Sequence, residues 1–339
     1  MKIIVDGFGG DNAPGEIVKA CVLALDEFKD LEIIITGQSD AIKACLAENG
    51  YEGNRIEIVE APEVISCEDE NPAMQIRLKP KSSLVVGLDL LRQNDDTKAL
   101  VSAGSTGAVL SGGFLKVGRI KGVSRPALAP TLPSKDDGKG VVLLDCGANV
   151  DSKPINLCHF ALMGSIYYSK MYGVENPKVA LLSNGTEDAK GNELTKEAFT
   201  MLKKLPINFV GNMEARDLLS GKYDVVVSDG FAGNVALKAT EGAAMFVLST
   251  LKEKIKSSFS AKLGALLMKG TFKELKAKLD YKQYGGSLFL GCKKNIFKAH
   301  GDSKAPAFLA CIRQAVKAAE KDVNEEIELA LSKLEINEE

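Results

Sequence analysis

Short runs of apolar and β-branched residues recur along the chain, and each ends in small or polar residues before a helix-compatible segment. The recurrences read KIIVDGFGGDN, ALVSAGSTGA, VVLLDCGANVD, VALLSNGTEDAKGNE, INFVGNMEARD and DVVVSDGFAGN, and LEIIITG and RIEIVEAP add two more strands. Strands that are apolar on both faces are typical of parallel sheets covered by helices. We therefore expect an α/β fold with a mostly parallel sheet and helices on both faces.

The polar residues that follow the strands predict where a ligand binds. In parallel α/β sheets, ligands bind beyond the carboxyl ends of the strands. Loops that are far apart in the sequence therefore meet at one edge of the sheet, and we expect one site built from these glycine-, asparagine- and aspartate-rich loops. A non-catalytic scaffold has no need to concentrate so many permissive backbone positions on one edge.

Composition bounds the size and class of the protein. Of 339 residues, 45% are hydrophobic and 26% are charged, and we expect a single catalytic domain over 1–339. Lysine and arginine total 43 against 45 acids, a net charge of -2, so we expect no nucleic-acid partner. The chain shows neither a secretory signal nor an apolar run of membrane-spanning length, which predicts a cytoplasmic protein.

Cysteine and histidine usage argues against a transition-metal site. The seven cysteines form no C-x-x-C pair, which favours reduced, buried thiols. The chain has only two histidines, His159 and His300. A histidine-rich metal site is therefore not expected.

The first loop begins like a dinucleotide-binding motif but departs from it. In GFGGDN, Asn12 stands where the third glycine of G-x-G-x-x-G belongs, and Asp11 would repel a pyrophosphate. No G-x-x-x-x-G-K-[ST] sequence occurs. A nicotinamide or Walker-type nucleotide site is therefore disfavoured.

The stretch SAGSTGAVLSGG predicts a better anion site. Ser102 ends a strand, Gly104 frees the backbone, and Ser105 and Thr106 begin a helix. Free amides at the start of a helix bind small oxyanions, and hydroxyl groups complete the hydrogen bonds. An ordinary N-cap with tight helix packing is the alternative interpretation.

Nine motifs occur in order between Met1 and Arg313: VDGFGGDNAP, SAGSTGA, GRIKGVSRPALAPTLP, LLDCGANVD, GTEDAKGNELTK, GNMEARDLL, SDGFAGNVALK, YGGSLFLG and KAHG. They closely resemble the phosphate acyltransferases of bacterial phospholipid synthesis. The resemblance implies transfer of a fatty acyl group from acyl carrier protein to inorganic phosphate, giving acyl phosphate for a downstream glycerol-3-phosphate acyltransferase. It also implies a fold similar to phosphotransacetylases and isopropylmalate-type dehydrogenases, a homodimer, no metal or organic cofactor, and peripheral membrane association.

Such a reaction needs an oriented phosphate and donors aimed at the developing oxyanion. With the resemblance, Lys190 is the first candidate for the cation, and His300 is the candidate to protonate the leaving thiolate or bind phosphate, although a solvated lysine and a structural histidine are the alternatives. Asp229 and Asn234 complete the expected catalytic group. We expect substrate or phosphate contacts from Asp6, Gly9, Gly10, Asp11, Ser102, Gly104, Ser105, Thr106, Asn149 and Asn192.

Several of these loops carry aspartates, which would oppose a bound dianion. We interpret their carboxylates as supporting groups that accept hydrogen bonds from Lys190, His300 or loop amides and so fix the donors facing phosphate. Helix capping is the competing interpretation for Asp11. The four aspartates are Asp6, Asp11, Asp145 and Asp229.

The strand rhythm stops over 245–284, where the sequence predicts a protruding basic amphipathic hairpin that Gly270 divides into two helices. Nine lysines and three acids between Lys252 and Lys282 give a local charge of +6. The apolar stripe either faces the core or, with the lysines, contacts an anionic membrane or acidic carrier protein. The expected contact residues are Leu251, Lys254, Ile255, Phe259, Lys262, Leu263 and Leu266.

Two enzyme classes compete with the acyl carrier protein reaction. A phosphotransacetylase-like enzyme would use acyl-coenzyme A, and would differ in the thiol carrier and not in the chemistry. A dehydrogenase of related fold would bind nicotinamide and need a divalent metal.

Overall fold

A computed structural model describes residues 1–66, 68–135, 139–279 and 285–333 of the chain. Its strands form two mostly parallel sheets flanked by helices, which confirms the predicted α/β class. The division of the strands between two sheets is a feature that the pattern did not predict. The first sheet contains β1 (Lys2–Asp6), β2 (Glu32–Gly37), β3 (Ile56–Glu60), β4 (Thr97–Ser102), β5 (Ala127–Ala129), β11 (Ser287–Leu290) and β12 (Asn295–Lys298).

The second sheet is smaller, and the chain enters it from the first sheet at Pro130. The strand order is β3-β2-β1-β4-β12-β11-β5 in the first sheet, where β11 runs antiparallel to both neighbours. The second sheet contains β6 (Thr131–Leu132), β7 (Val141–Leu144), β8 (Val179–Ser183), β9 (Phe209–Glu214) and β10 (Val225–Val227). Its order is β6-β7-β10-β8-β9, and β6 alone is antiparallel in the pairing given for it with β7.

Helices connect most of the strands. A five-residue π-helix, Gly113–Val117, directly follows α5, and a 3-10 turn, Ala215–Asp217, follows β9. The α-helices are α1 (Gly15–Glu27), α2 (Ser39–Glu48), α3 (Pro72–Leu78), α4 (Ser83–Gln93), α5 (Thr106–Gly112), α6 (Pro154–Tyr172), α7 (Glu193–Leu202), α8 (Gly230–Ser257), α9 (Phe259–Leu267), α10 (Lys269–Leu279), α11 (Ala305–Glu320) and α12 (Val323–Ser332).

Both sheets bury both of their faces. Because successive strand residues point to opposite sides, Ile3 and Val5 of β1 join one apolar cluster while Ile4 joins the other. In β7, Leu144 and Leu143 divide in the same way. Each cluster contains residues from both sheets, which explains why the strand segments read as continuous apolar runs.

The lysine-rich stretch forms three helical segments and not the two that we predicted. The first break lies at Ser258, whose extended backbone ends α8 and whose hydroxyl accepts a hydrogen bond from the Ala261 amide at 3.4 Å. The second lies at Met268, two residues before the predicted break at Gly270. Residues 280–284 of the predicted hairpin lie outside the described residues.

The apolar side chains of this stretch do not enter the core. Helix α9 buries none of its residues, and the Phe259 and Leu267 side chains are 84% and 83% exposed. The core-facing interpretation of the stripe is therefore wrong for α9. Across the described ranges, no helix combines the length and apolar character needed to cross a bilayer.

Candidate active site

The loops after β1 and β4 form a hydrogen-bonded unit in the first sheet. Asp6 is buried, and its Oδ2 accepts a hydrogen bond from the Ser102 hydroxyl at 2.6 Å. The Ser102 oxygen in turn accepts from the Gly104 amide at 3.0 Å. Burial raises the pKa of Asp6, while its hydrogen bond with Ser102 opposes that shift. Asp6 and Ser102, both buried, therefore hold the Gly104 backbone.

Glycines allow this unit to pack against the loop after β12. A Cβ on Gly9 would lie 2.5 Å from Asp6 Oδ2 and 2.7 Å from the Gly104 nitrogen, so no side chain fits. Gly10 has a φ of +93°, and the next residue, Asp11, donates its amide to the Gly301 carbonyl at 2.8 Å. Gly9 and Gly10 thus serve loop packing, and three loops of the first sheet meet here.

A matching unit forms at the second sheet after β7. The buried Asp145 carboxylate accepts hydrogen bonds from the Leu128 amide at 2.9 Å and the Asn149 amide at 2.6 Å. The Asn149 side chain donates to Asp145 at 2.9 Å and to the Pro126 carbonyl at 2.8 Å. Burial raises the pKa of Asp145, and these donors oppose the shift. Both of these side-chain hydrogen bonds hold Asn149 within the loop after β7.

The start of α8 closes this second unit. Asp229 caps the helix, since its Oδ1 accepts from the Phe231 amide at 2.9 Å and the Ala232 amide at 2.8 Å. The carboxylate therefore holds amides of the first turn of α8, which is an N-cap role. Asn234 lies one turn further along α8, on the wall of a cleft.

The two units face each other across a cleft of about 380 Å³. Three predicted residues line it together: Thr106 and His300 from the first sheet, and Asn234 from the second. Three charged residues that the sequence analysis did not predict line the same cleft, and these are Lys238, Glu241 and Lys298.

A signal for the missed residues was present in the sequence. Lys298 precedes His300 by two positions, the spacing that puts side chains on one face of a strand. Lys238 and Glu241 follow Asn234 by four and seven residues, which is the spacing of one helix face. The Lys298 ammonium donates to the Ala103 carbonyl at 3.4 Å.

His300 is mostly buried, and its surroundings favour the neutral imidazole. Burial is the main cause that lowers its pKa, and the positive charges of Lys298 and Lys238 lower it further. The carboxylates of Glu241 and Asp302 act in the opposite direction. At neutral pH the ring therefore offers one donor and one acceptor nitrogen.

Among the predicted residues that do not line the cleft, Lys190 and Asn192 lie in the loop after β8. Lys190 is exposed, and its backbone amide donates to the Glu187 carbonyl at 3.0 Å. Asn192 caps α7 by accepting from the Thr195 amide at 2.9 Å, so its side-chain oxygen has a structural role. Ser105 precedes α5 without a side-chain cap.

No cluster of three or more His, Cys, Asp or Glu side chains suited to a metal occurs within the described ranges. The cleft instead combines two lysines, an imidazole, an amide, hydroxyl groups and the Glu241 carboxylate. These groups bind anions and move protons.

Comparison with known proteins relates nearly all of the chain to one family. Residues 1–326 match a family described as "Fatty acid synthesis protein". A putative phosphate acyltransferase of Clostridium perfringens is 50% identical over 95% of this chain and 94% of its own. A phosphate acyltransferase of Bacillus cereus is 47% identical over 95% of this chain and 96% of its own.

Solved structures agree with the fold. A phosphotransacetylase from Streptococcus pyogenes superposes with a TM-score of 0.63 at 17% identity, covering 95% of this chain and 94% of its own. A branched-chain phosphotransacylase from Enterococcus faecalis V583 gives a TM-score of 0.57 at 17% identity, covering 94% and 99%. The predicted likeness to phosphotransacetylases in fold is confirmed.

Proposed function

Because the chain belongs to the phosphate acyltransferase family of fatty acid synthesis proteins, and is thus an acyltransferase, we propose that it transfers a fatty acyl group from acyl carrier protein to inorganic phosphate. The cleft between the two sheets is the proposed site. The observation that carries this proposal is that Lys298 and His300 from the first sheet line the same cleft as Asn234 from the second.

The cleft suits a phosphate nucleophile. Lys298 supplies positive charge from a half-buried position, where charge-assisted hydrogen bonds to an oxyanion are strong. Lys238 adds a second ammonium group, which is exposed and pairs with Glu241 at 2.8 Å. Asn234 and Thr106 provide neutral donors. Such groups orient phosphate and stabilise the oxyanion that forms on the thioester carbonyl.

The proposed step balances without a cofactor. A phosphate oxygen attacks the thioester carbonyl carbon, a C–O bond forms, and the C–S bond breaks. His300 accepts the phosphate proton and passes it to the leaving thiolate, whose reference pKa is about 8.5. The products are acyl phosphate and free thiol. The acyl phosphate is a reactive mixed anhydride, so we propose a glycerol-3-phosphate acyltransferase as its consumer.

The first test is release of carrier-protein thiol from palmitoyl-acyl carrier protein, with and without inorganic phosphate, in the presence of a chelator. We expect release that depends on phosphate, with acyl phosphate accumulating in equal amount. Turnover of palmitoyl-coenzyme A alone would assign the enzyme to the phosphotransacetylase type. Turnover that requires nicotinamide and metal would contradict both acyl-transfer reactions.

Exposed apolar and basic residues outside the cleft support two further parts of the proposal. Phe231 and Phe246 of α8 are 64% and 69% exposed, and we propose that this helix pairs with a second copy of the chain. Sedimentation of the purified protein measures whether it is a dimer.

Helix α9 carries exposed apolar residues, and lysines precede and follow it in the sequence. We propose that the last turns of α8 and the whole of α9 contact an anionic membrane surface, or acidic carrier protein. The proposed contacts are Leu251, Lys254 and Ile255 on α8, and Phe259, Lys262, Leu263 and Leu266 on α9.

Replacing Phe259 with serine is expected to weaken binding to anionic vesicles by about tenfold or more, because burying a phenylalanine contributes about 1.5–3 kcal/mol. Lys262→Gln is expected to weaken the free energy of vesicle binding by about 1 kcal/mol at low salt. Cosedimentation with phosphatidylglycerol vesicles measures both. The control is Leu329→Ser on α12, a leucine that is 54% exposed. Equal binding by Phe259→Ser and wild type would contradict membrane contact, and a loss of carrier-protein affinity in that variant would assign the surface to the protein partner.

A further inference from the structure

Glu241 has a hydrogen-bonding defect beside the proposed active site. The residue lies on α8 and is only 8% exposed. Its Oε2 pairs with the Lys238 ammonium at 2.8 Å, but its Oε1 is buried and lacks a donor among the residues that the structure describes. A buried carboxylate oxygen without a donor costs stability, and such groups are retained mainly where function uses them.

The position of Glu241 relates this defect to the cleft. Glu241 follows Asn234 by seven residues, about two helical turns, so both project from one face of α8. Both line the same cavity, which His300 lines from the first sheet. The negative charge of Glu241 acts on His300 more strongly than any other charged group does. His300 carries the ring N–H that the unpaired oxygen lacks.

We propose that Glu241 is the positioning carboxylate of His300, accepting the imidazole N–H on Oε1 and stabilising the imidazolium that forms during the reaction. This inference rests on the proposed function, in which His300 takes a proton from phosphate. A carboxylate that fixes the tautomer and steadies the charged ring has this role beside other catalytic histidines. Glu241 touches no reacting atom in this scheme and acts only through His300.

The charges around His300 set the sign of the expected effects. Glu241 from α8 and Asp302 from the histidine's own loop raise its pKa. Lys238 from α8, Lys298 from β12 and burial lower it. Removing the Glu241 charge must therefore lower the pKa of His300, and removing the Lys238 charge must raise it.

The test is an NMR titration of the protein labelled at histidine, without substrate. The chain has two histidines, so His159 serves as the internal reference. We expect Glu241→Gln to lower the pKa of His300 by about one unit and Lys238→Gln to raise it, with the pKa of His159 unchanged. The matched control is Glu253→Gln, an exposed carboxylate on the same helix, which should leave both histidines unchanged.

Kinetics supply the second readout. With Glu241→Gln we expect turnover to fall about tenfold and the acidic limb of the rate profile to move to lower pH by the same amount as the pKa. An unchanged pKa of His300 in Glu241→Gln would overturn the inference, even if Lys238→Gln shifts that pKa and phosphate-dependent transfer is found. A shifted pKa in a protein without that transfer would overturn the proposed function and keep the Glu241–His300 contact.

Discussion

Replacing Lys298 with methionine is expected to lower kcat/KM for phosphate-dependent thiol release by about a hundredfold or more. The methionine keeps the length and the apolar stem of the side chain but removes the positive charge from the wall of the cleft. Loss of one group that stabilises a developing oxyanion typically costs this much in rate. Initial rates over a range of phosphate concentrations measure the effect, and thermal unfolding shows whether the variant keeps its fold.

Lys190→Met is the matched comparison, because sequence reasoning favoured Lys190 as the cation. Lys190 is exposed and does not line the cleft between the two sheets. We therefore expect the Lys190 variant to lose much less activity than the Lys298 variant. The reverse ranking would contradict the placement of phosphate beside Lys298, and would assign it to the loop after β8.

Replacing Gly233 with alanine is expected to destabilise the protein by about 3 kcal/mol and to abolish most of its activity. A Cβ at this position would lie 1.9 Å from the Asp145 carbonyl oxygen and 2.4 Å from the Ser228 hydroxyl. The first contact is with backbone, so the start of α8 must move away from the loop after β7, and such overpacking costs 1–3 kcal/mol or more. Denaturant unfolding followed by circular dichroism measures the change.

Gly242→Ala on the same helix provides the control. A Cβ on Gly242 meets no atom within 4 Å, and alanine is a better helix former than glycine. We expect this variant to be as stable as the wild type or more stable by about 0.5–1 kcal/mol. If the two alanine variants unfolded at the same denaturant concentration, the close packing of α8 against the loop after β7 would be wrong.

The sequence predicts which strand ends carry chemistry better than it predicts which of them meet. Apolar runs followed by glycine and aspartate identified the loops of Asp6, Ser102, Asp145 and Asp229. All four residues lie at or just after the carboxyl ends of strands in the two sheets. Spatial strand order is not encoded in any local pattern, since it depends on crossover connections. Lys190 is an example, because its loop has a predicted strand-end pattern but does not line the cleft. The loop follows β8, which lies on the far side of β10 from β7 in the second sheet.

For the aspartates too, the sequence indicates a supporting role but does not identify the group that each carboxylate binds. The carboxylates of Asp6, Asp145 and Asp229 accept hydrogen bonds from backbone amides, and Asp6 and Asp145 do so while buried. Neither accepts a hydrogen bond from Lys190 or His300 among the contacts that the structure describes. Which donor an aspartate meets depends on tertiary packing. The orphaned oxygen of Glu241 likewise has no counterpart in a residue pattern.

The helix breaks in the lysine-rich stretch were mispredicted for a local reason. Glycine lowers helix stability, so Gly270 was the obvious choice. Ser258 ends α8 instead, because its hydroxyl gives α9 an N-terminal acceptor. Both a capping serine and a destabilising glycine can end a helix, and the apolar periodicity alone does not show which of them marks the break.

The place of β12 in the first sheet has a consequence for how the enzyme is made. β12 pairs with β4, although 192 residues separate the end of β4 at Ser102 from the start of β12 at Asn295. While the ribosome is synthesising the intervening segment, β4 has one exposed edge, and such an edge pairs readily with other chains. His300 and Gly301 are also the last of the cleft residues to be synthesised. The nascent chain therefore passes most of its synthesis with an open sheet and no complete active site.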